Sequence, residues 1–436
     1  MQCFEAGQVF ILPVTNDLEA LRYKLRDFEA SSPFDIIYSI EDILRYYHVD
    51  AGNLTKYLGA YPFVVRVPEG QELEYAIRYR QYSDDIRVAI PNFNVRPLAA
   101  DLTINEDMIS QAIELAHVAS ASREDCGKDV RVTVIDTGVD PDLLPYPQQL
   151  QPVQYATDVP NLNTPGQLPS DPIGHGSLVA HIINRIAPAA TIQSIKMMEQ
   201  GGNIGGLVAA LYLAEAEFKP DIYNLSLAVT CDLGICGSCG SPQQPEALVN
   251  EAQLQLLFKL LDGRTIVSGQ TPLIVASAGN NARQILMPAR FPNVLAVGSY
   301  DMSANTTARY SHYDSVAKER FILAPGGLDD IQNCVGRTPN KWNRARLENM
   351  FGTSFSAAFV TGVAARYLCA TKNSPCSRRG PGGNGVVSTR NFLMECLKRS
   401  ATPIAPPGAA GSERDGLGLV SYDRFIACDV AAETFA

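Results

Sequence analysis

The sequence predicts an α/β fold: a doubly wound, mostly parallel sheet with helices on both faces, preceded by a small α/β sandwich domain. The first observation is a set of short runs that are apolar on both faces, as strands of a covered parallel sheet must be. These runs are 132–135, 222–225, 273–276 and 294–297. Helical patterns, such as 176–185 and 205–218, lie between them. Strands and helices also alternate, at shorter spacing, before residue 98.

Residues 1–98 are predicted to form the small domain, with its helices on one face of a sheet. The predicted elements are an apolar run at 9–12, helices at 18–28 and 40–47, a strand at 63–67, a helix at 72–79, a strand at 86–90 and a loop at 91–94. Residues 99–129 are a polar connector with one helix at 106–119, and residues 130–436 form the large domain. Sites in such a domain gather at the carboxyl ends of its strands.

Composition argues against two kinds of partner. The 436 residues carry a formal net charge of −10 with basic and acidic residues mixed, whereas nucleic-acid binding needs clustered Lys and Arg. No apolar stretch reaches the ~18 residues that would span a membrane. Residues 1–14 lack the basic start of a signal peptide and include Glu5. We therefore expect a cytoplasmic protein, or a secreted one if a leader was removed.

An apolar strand that ends in a carboxylate and a glycine turn, 134–138 (VIDTG), places Asp136 at the carboxyl edge of the large sheet. Alone, this motif is more typical of a structural aspartate. The motif is also compatible with the aspartic peptidases, which use Asp-Thr-Gly. That class, however, needs two such carboxylates sharing one proton. The chain has no second Asp-Thr-Gly or Asp-Ser-Gly, so that class is disfavoured.

The motif 174–177 (GHGS) opens a predicted helix and holds the best candidate for a general base. Glycines on both sides let the imidazole stand clear at the helix start, although a helix-capping histidine would show the same pattern. His48 and His117 lie within predicted helices outside the large domain, and His181 lies nearly two turns further along the same helix, facing elsewhere. His175 is therefore the predicted base.

The motif 352–358 (GTSFSAA) leads into a predicted helix at 359–368. Its small residues allow a helix N-terminus to approach a reaction centre closely, where a serine can reach both an imidazole and a substrate carbonyl. Taken alone, Ser354 would be interpreted as an N-cap, the commonest reason for a serine before a helix.

Together the three motifs, in the order Asp, His, Ser, resemble the signatures of the subtilisin-like serine peptidases. The order differs from that of chymotrypsin and of α/β-hydrolases, and no Gly-x-Ser-x-Gly elbow is present. The resemblance covers residues 130–430 and continues between the motifs. The further segments are 186–190 (IAPAA), 222–227 (IYNLSL), 276–280 (ASAGN), 323–327 (LAPGG) and 416–420 (GLGLV).

This resemblance implies a serine endopeptidase acting on polypeptides, in which Asp136, His175 and Ser354 form the triad. It implies that Asn280 is the side-chain donor of the oxyanion hole, beside the backbone N–H of Ser354. It also implies two segments that hold substrate as an added strand and wall the primary specificity pocket. Their residues are Ser226, Leu227, Ala228, Ser277, Ala278 and Gly279.

The chain departs from the family pattern at four positions. The family usually has Thr at Ser177, His at Leu178, Gly at Ala228 and Pro at Ala358. The methyl group of Ala228 is expected to narrow the primary pocket. None of the four departures removes a catalytic group.

Residues 8–98 resemble, more weakly, the inhibitory propeptide of the same family, through 63–67, the helix after it, and 86–93. This implies a zymogen whose N-terminal domain packs on the protease and acts as an intramolecular inhibitor. The C-terminal tail of that domain would lie in the substrate-binding cleft. An unrelated recognition domain is the alternative, and the usual junction motif is not evident. A catalytically silent, peptide-binding pseudo-protease is the alternative for the whole chain, although all four catalytic groups are present.

The sequence also bears on cofactors and on the state of its cysteines. The chemistry requires no cofactor, no metal ligand is assigned, and structural calcium stays open because no convincing oxygen-ligand loop is found. Cys231, Cys236 and Cys239 cluster in an insertion close to the substrate segment. Reduced thiols, a disulfide and a zinc site with a fourth ligand such as Cys126 are all compatible with their spacing.

Overall fold

The computed structural model describes residues 4–25, 35–50, 54–56, 59–82, 84–97, 106–118, 126–157, 171–199, 201–229, 245–263, 270–280, 284–327, 352–372, 388–404 and 414–423. The strands are β1 (Phe4–Pro13), β2 (Ile36–Ser39), β3 (Phe63–Arg66), β4 (Ile86–Pro97), β5 (Arg131–Asp136), β6 (Tyr155–Ala156), β7 (Thr191–Lys196), β8 (Gly202–Asn203), β9 (Ile222–Leu225), β10 (Leu227–Val229), β11 (Leu273–Ser277), β12 (Leu295–Asp301), β13 (Thr306–Thr307) and β14 (Phe321–Pro325). The helices are α1 (Leu18–Leu25), α2 (Ile40–Tyr46), α3 (Glu72–Tyr82), α4 (Glu106–Leu115), α5 (His175–Ile186), α6 (Ile204–Glu217), α7 (Pro245–Lys259), α8 (Thr353–Lys372) and α9 (Thr389–Ser400).

The large sheet has the strand order β13-β12-β11-β9-β5-β7-β6, with β14 also pairing with β12. Every pairing in it is parallel except that of β12 with β13. Buried residues of α4, α5, α8 and α9 share one hydrophobic core on one face, and those of α6 and α7 share a second core on the other. Apolar side chains therefore cover both faces of the strands, as the sequence predicts for a doubly wound sheet.

The second sheet belongs mainly to the N-terminal part of the chain. Its order is β10-β4-β1-β3-β2, with β8 also pairing with β4, and all of its pairings are antiparallel. One face packs on α1 and α3 through a small core that includes Val9, Ile11 and Tyr79. The other face, with Phe10 and Val88, packs into the core shared with α6 and α7. The N-terminal sheet is thus joined to the large domain by a continuous apolar interface.

Two local predictions are wrong. The predicted loop at 91–94 is a continuation of β4, because Pro91 lies opposite Val9 and Phe93 opposite Phe4 in β1, and Asn94 lies opposite Asn203 in β8. His48 and His117 do not lie within helices. Both follow a helix end, at α2 and α4, in the left-handed region with φ of 56°. Each N–H there donates to a carbonyl of the last helical turn, which ends the helix.

Among the residues that the structure describes, no helix is both long enough and apolar enough to span a bilayer.

Candidate active site

Three neighbouring strands of the large sheet end at the same edge and deliver the predicted site residues there. β5, β9 and β11 are parallel neighbours, with Val134 opposite Asn224 and Leu225 opposite Ala276. Asp136 is the last residue of β5, Ser226 directly follows β9, and Ser277 is the last residue of β11. Carboxyl ends of parallel strands are where sites form in such sheets.

Asp136 and His175 are in direct contact. The Nδ1 atom of His175 lies 2.6 Å from Oδ1 of Asp136, and the same oxygen accepts the backbone N–H of Thr137 at 2.8 Å. Both residues are buried: the solvent-exposed fraction is 0% for His175 and 1% for Asp136. Nδ1 must carry its proton to donate to this carboxylate, so in the neutral imidazole Nε2 is a basic nitrogen. Within the described residues, Nε2 has no hydrogen-bond partner.

Glycines bring the start of α5 close to the end of β5. Gly174, just before the helix, has φ of 82°, a conformation that side chains rarely adopt. A Cβ atom at Gly176 would overlap the carbonyl oxygen of Gly138 and approach Cβ of Asp136. The two glycines beside His175 are therefore required by a left-handed turn on one side and a close backbone approach on the other.

Ser354 lies in the first turn of α8, against the end of β9. Its Oγ donates to the carbonyl oxygen of Ser226 at 3.3 Å, and its own carbonyl accepts from Oγ of Ser226 at 3.0 Å. The next residue, Phe355, has its ring centroid 6.1 Å from that of His175. Helices α5 and α8 pack side by side. The structure therefore brings the serine turn beside the imidazole, with the hydroxyl held by Ser226.

Asn280 is oriented by Thr353, the first residue of α8. Its Oδ1 accepts both the backbone N–H and the hydroxyl of Thr353, each at 2.9 Å. The amide nitrogen Nδ2 then points toward Gly352, where an added Cβ would lie 2.9 Å from it. Gly352 has φ of 134°, so this position is restricted to glycine on two grounds. The amide of Asn280 is thereby placed beside the N-terminus of the serine helix.

The two predicted substrate segments leave neighbouring strands. Leu227 and Ala228 begin β10, and the N–H of Gly279 donates to Oγ of Thr353 at 3.1 Å. All six residues of these segments are buried, namely Ser226, Leu227, Ala228, Ser277, Ala278 and Gly279. Oγ of Ser277 has no partner among the described residues.

The end of β4 lies between β8 and β10. Val95 is opposite Val229 of β10 on one side and opposite Gly202 of β8 on the other. Arg96 is opposite Ala228. The side chain of Val95 is fully buried, whereas Arg96 is exposed. A segment of the N-terminal domain therefore runs antiparallel to the predicted substrate segment and is hydrogen-bonded into the same sheet.

Sequence reasoning missed three contributors to this site: Asp171, Thr353 and the strand β8. Asp171 accepts the N–H of Gly174 and of Ser177 at 2.8 Å each, at the start of α5. An acidic residue just before a helix is a known start signal, and it could have drawn attention to Asp171. No local signal marks β8, which has only two residues and pairs with a strand more than 100 positions away.

The family departures at Ser177, Leu178 and Ala358 are accommodated. Oγ of Ser177 donates to Asp171 at 2.7 Å and accepts the N–H of Asp140 at 2.9 Å. Leu178 and Ala358 are buried in the core between α5 and α8. Ala228 is fully buried, and the expected narrowing of the pocket stays a prediction.

The cysteine insertion lies outside the described residues, so the three alternatives for Cys231, Cys236 and Cys239 stay predictions. Cys126 is described, and its Sγ accepts from the Arg366 guanidinium at 3.2 Å. In the described parts of the chain, no group of three or more His, Cys, Asp or Glu side chains converges in a way that could hold a metal ion.

Comparison with known proteins identifies a family match. The model of the subtilase family matches residues 127–406, more than half of the chain. The subtilisin-like protease PopC of Myxococcus xanthus is 27% identical over 262 residues, 56% of this chain and 52% of PopC. The alkaline elastase YaB of a Bacillus strain is 29% identical over 317 residues, 69% of this chain and 66% of the elastase. The chain thus spans about half the length of the first relative and about two thirds of the second.

A solved structure resembles nearly the whole chain. It is the epidermin leader peptide processing serine protease EpiP of Staphylococcus aureus, with a TM-score of 0.64 and 16% identity, covering 98% of this chain and 99% of that one. At this identity the likeness concerns the fold. It extends through the N-terminal sheet as well as the large one, and it confirms the predicted fold class. The family resemblance predicted from the three motifs is also confirmed.

Proposed function

The chain belongs to the subtilase family, and from this premise we propose that it is a serine endopeptidase that hydrolyses polypeptides. Asp136, His175 and Ser354 form its catalytic triad. The observation that carries the proposal is the 2.6 Å contact between His175 and Asp136, beside the serine turn at the start of α8. Such a pair, buried next to a serine at a helix start, suits general-base activation of a hydroxyl.

In the proposed reaction, Nε2 of His175 removes the proton of the Ser354 hydroxyl as Oγ attacks the peptide carbonyl. Asp136 accepts the Nδ1 proton in a hydrogen bond, keeps the imidazole in the required tautomer and stabilises the imidazolium. Oγ must leave the carbonyl of Ser226 to reach Nε2, and such hydrogen bonds are often loose before substrate binds. The imidazolium then protonates the leaving amine, and water releases the acyl group through the same steps.

The oxyanion of the tetrahedral intermediate is stabilised by Asn280 and the backbone N–H of Ser354. Oδ1 of Asn280 accepts both donors of Thr353, which fixes the amide plane, and Nδ2 lies on the side of Gly352, so its NH₂ group is the donor proposed for the reacting carbonyl. A donor fixed before the reaction needs no reorganisation when charge develops, and this is the basis of oxyanion stabilisation. Segments 226–228 and 277–279 bind the substrate backbone.

The N-terminal domain is proposed to inhibit this site, which makes the chain a zymogen. The support is that β4 pairs antiparallel with β10 along Val95, Arg96 and Pro97, which is the mode expected for a peptide substrate added as a strand. Two further contacts hold the domain in place. The side chain of Asn92 accepts the N–H of Gly205 in the first turn of α6, and the N–H of Ala89 donates to Gln253 of α7.

A fluorophosphonate probe tests the proposed activity, because it phosphonylates only a serine activated by a base. We expect labelling at Ser354, slow in the full wild-type chain because its cleft is proposed to be blocked, and loss of both labelling and peptide hydrolysis in Ser354→Ala. Ser356→Ala is the matched control: that hydroxyl donates to the carbonyl of Ala324 and contacts Ser299, so labelling should persist. Since the cleft is proposed to be blocked, the Val95→Asp variant discussed below is tested in parallel. A folded chain that stays unlabelled in both forms would favour the silent, peptide-binding alternative.

A further inference from the structure

We propose that Asp171 is a positioning residue that holds the Asp136–His175 pair in its reactive geometry. The inference rests on the proposed triad. The Asp171 carboxylate accepts four hydrogen bonds. Oδ1 accepts the Thr137 hydroxyl and the Gly174 N–H, both at 2.8 Å, and Oδ2 accepts the N–H and the hydroxyl of Ser177 at 2.8 and 2.7 Å.

These donors come from both halves of the pair. Thr137 directly follows Asp136 at the end of β5, while Gly174 and Ser177 flank His175 at the start of α5. Thr137 also donates its N–H to Oδ1 of Asp136 at 2.8 Å and accepts the N–H of Gly176 at 2.9 Å through its hydroxyl. One carboxylate and one hydroxyl therefore connect the backbone on either side of His175 to the residue beside Asp136.

Only an acceptor with two equivalent oxygens satisfies this arrangement. An ionised carboxylate accepts at both oxygens, and negative charge is favourable at a helix N-terminus. In Asp171→Asn one oxygen becomes an NH₂ group. Whichever way the amide is turned, that group faces a backbone N–H, of Gly174 or of Ser177, which cannot be reversed. The substitution is nearly isosteric and still removes the hydrogen bond from that backbone N–H, leaving two donors facing each other.

The consequence falls on the chemical step. Proton transfer depends on the alignment of His175, and small misplacements of a catalytic group lower rates by up to about 10²-fold. Peptide binding is proposed to depend on segments 226–228 and 277–279, and neither segment contacts Asp171 through the four bonds above. Weakening the hydrogen bonds of the Asp171 carboxylate is therefore expected to lower kcat and leave KM nearly unchanged.

The test uses the full chain with Val95→Asp as the active background. We expect Asp171→Asn to lower kcat by about 10- to 10²-fold with KM within about twofold, and to slow fluorophosphonate labelling by the same factor. Asp142→Asn, the same change at an exposed carboxylate, is the matched control and should leave kcat unchanged. Thr137→Val should lower kcat similarly, whereas Thr137→Ser, which keeps the hydroxyl, should restore it. The double variant Asp171→Asn/Thr137→Val should lose less than the product of the single losses, because both act through one connection.

Each outcome decides the proposal. If the background enzyme is active and Asp171→Asn has an unchanged kcat, the positioning role is wrong while the proposed function stands. If the background enzyme itself neither hydrolyses peptide nor reacts with the probe, the proposed function fails instead. If Asp171→Asn does not fold, the comparison of Thr137→Val with Thr137→Ser replaces it. Equal kcat values in those two variants would overturn the proposal.

Discussion

Arg96, near the end of the N-terminal domain, pairs antiparallel with Ala228, in the segment predicted to hold substrate. The neighbouring Val95 is paired on both sides, with Val229 and with Gly202. A peptide could not add to β10 without displacing this tail, because each strand edge can form only one ladder. This relationship makes the state of the N-terminal tail the first property to test.

Val95→Asp is expected to raise peptide hydrolysis by the full chain by at least about tenfold. Val95 is fully buried, and an unpaired buried carboxylate costs several kcal/mol, so the tail should leave the cleft. Ile77→Asp also replaces a β-branched apolar side chain with Asp, at an exposed position of α3, and serves as the control. Initial rates on a short chromogenic peptide measure the effect, with intact mass recorded first to show that the domain is still attached. Equal rates in wild type and both variants would count against the inhibitory role.

Much of the large domain could be predicted from the sequence because its signals are local. Apolar runs mark the strands, and the motifs around Asp136, His175 and Ser354 coincide with strand ends and helix starts. The course of β4 could not be predicted, since Pro91 and Asn92 are typical of a loop. Pro91 is held in the strand by pairing with Val9 of β1, and residues 94–97 continue the strand because they pair with β8 and β10, far along the chain. Local propensity is a weak guide where tertiary pairing decides.

The role proposed for Asp171 could not be predicted from the sequence, for a different reason. Asp171 stands four residues before His175, so its sequence context indicates at most the start of a helix. Its importance comes from Thr137, which lies 34 residues away in the sequence. A hydrogen-bond connection of this kind has no periodicity and no fixed spacing, and the structure is needed to find it.

Glu72→Gln is expected to destabilise the chain by about 1–3 kcal/mol at neutral pH. Burial by itself would raise the pKa of Glu72, but the backbone N–H groups of Gly7, of Glu72 itself and of Gly70 lower it by more, so the net shift is downward. A lowered pKa in the folded state stabilises the fold above the unfolded value of 4.5, and this contribution is lost as the pH falls through the folded pKa.

The measurement is urea unfolding of wild type and Glu72→Gln between pH 7 and pH 3. The stability difference should be largest at neutral pH and should shrink below about pH 4.5. Glu69→Gln, three residues earlier and exposed, should show no such pH-dependent difference. A difference in unfolding free energy that is constant from pH 7 to pH 3 would mean that the carboxylate charge is not what stabilises this site.

Cys396 is expected to resist alkylation in the folded protein. It is fully buried in α9, and burial raises the pKa of its thiol to about 12, so about one molecule in 10⁴ carries the reactive thiolate at pH 8. Cys126 and Cys369 are partly exposed and provide comparisons within the same chain. Iodoacetamide followed by peptide mapping should modify those two first, and Cys396 only in denaturant. Equal labelling of all three would indicate that α9 opens readily.

Asn280→Ala is expected to lower kcat by roughly 10²–10³ with little change in KM, the effect of removing the equivalent kind of donor in subtilisin. The structure adds a complication, because Oδ1 of Asn280 also fixes the N–H and hydroxyl of Thr353. A loss of rate in Asn280→Ala alone could therefore come from displacement of the serine turn.

Asn280→Asp separates the two causes, because it keeps an oxygen acceptor for Thr353 and removes the NH₂ donor. If Asn280 donates to the oxyanion, Asn280→Asp should be at least as slow as Asn280→Ala, since the added negative charge opposes that of the intermediate. Thr353→Ser keeps both donors and should stay within about threefold of wild type. Steady-state kinetics in the Val95→Asp background supply kcat and KM for all three variants. A near-normal kcat in Asn280→Asp, beside a low one in Asn280→Ala, would assign Asn280 to anchoring Thr353 and leave the oxyanion to backbone N–H groups.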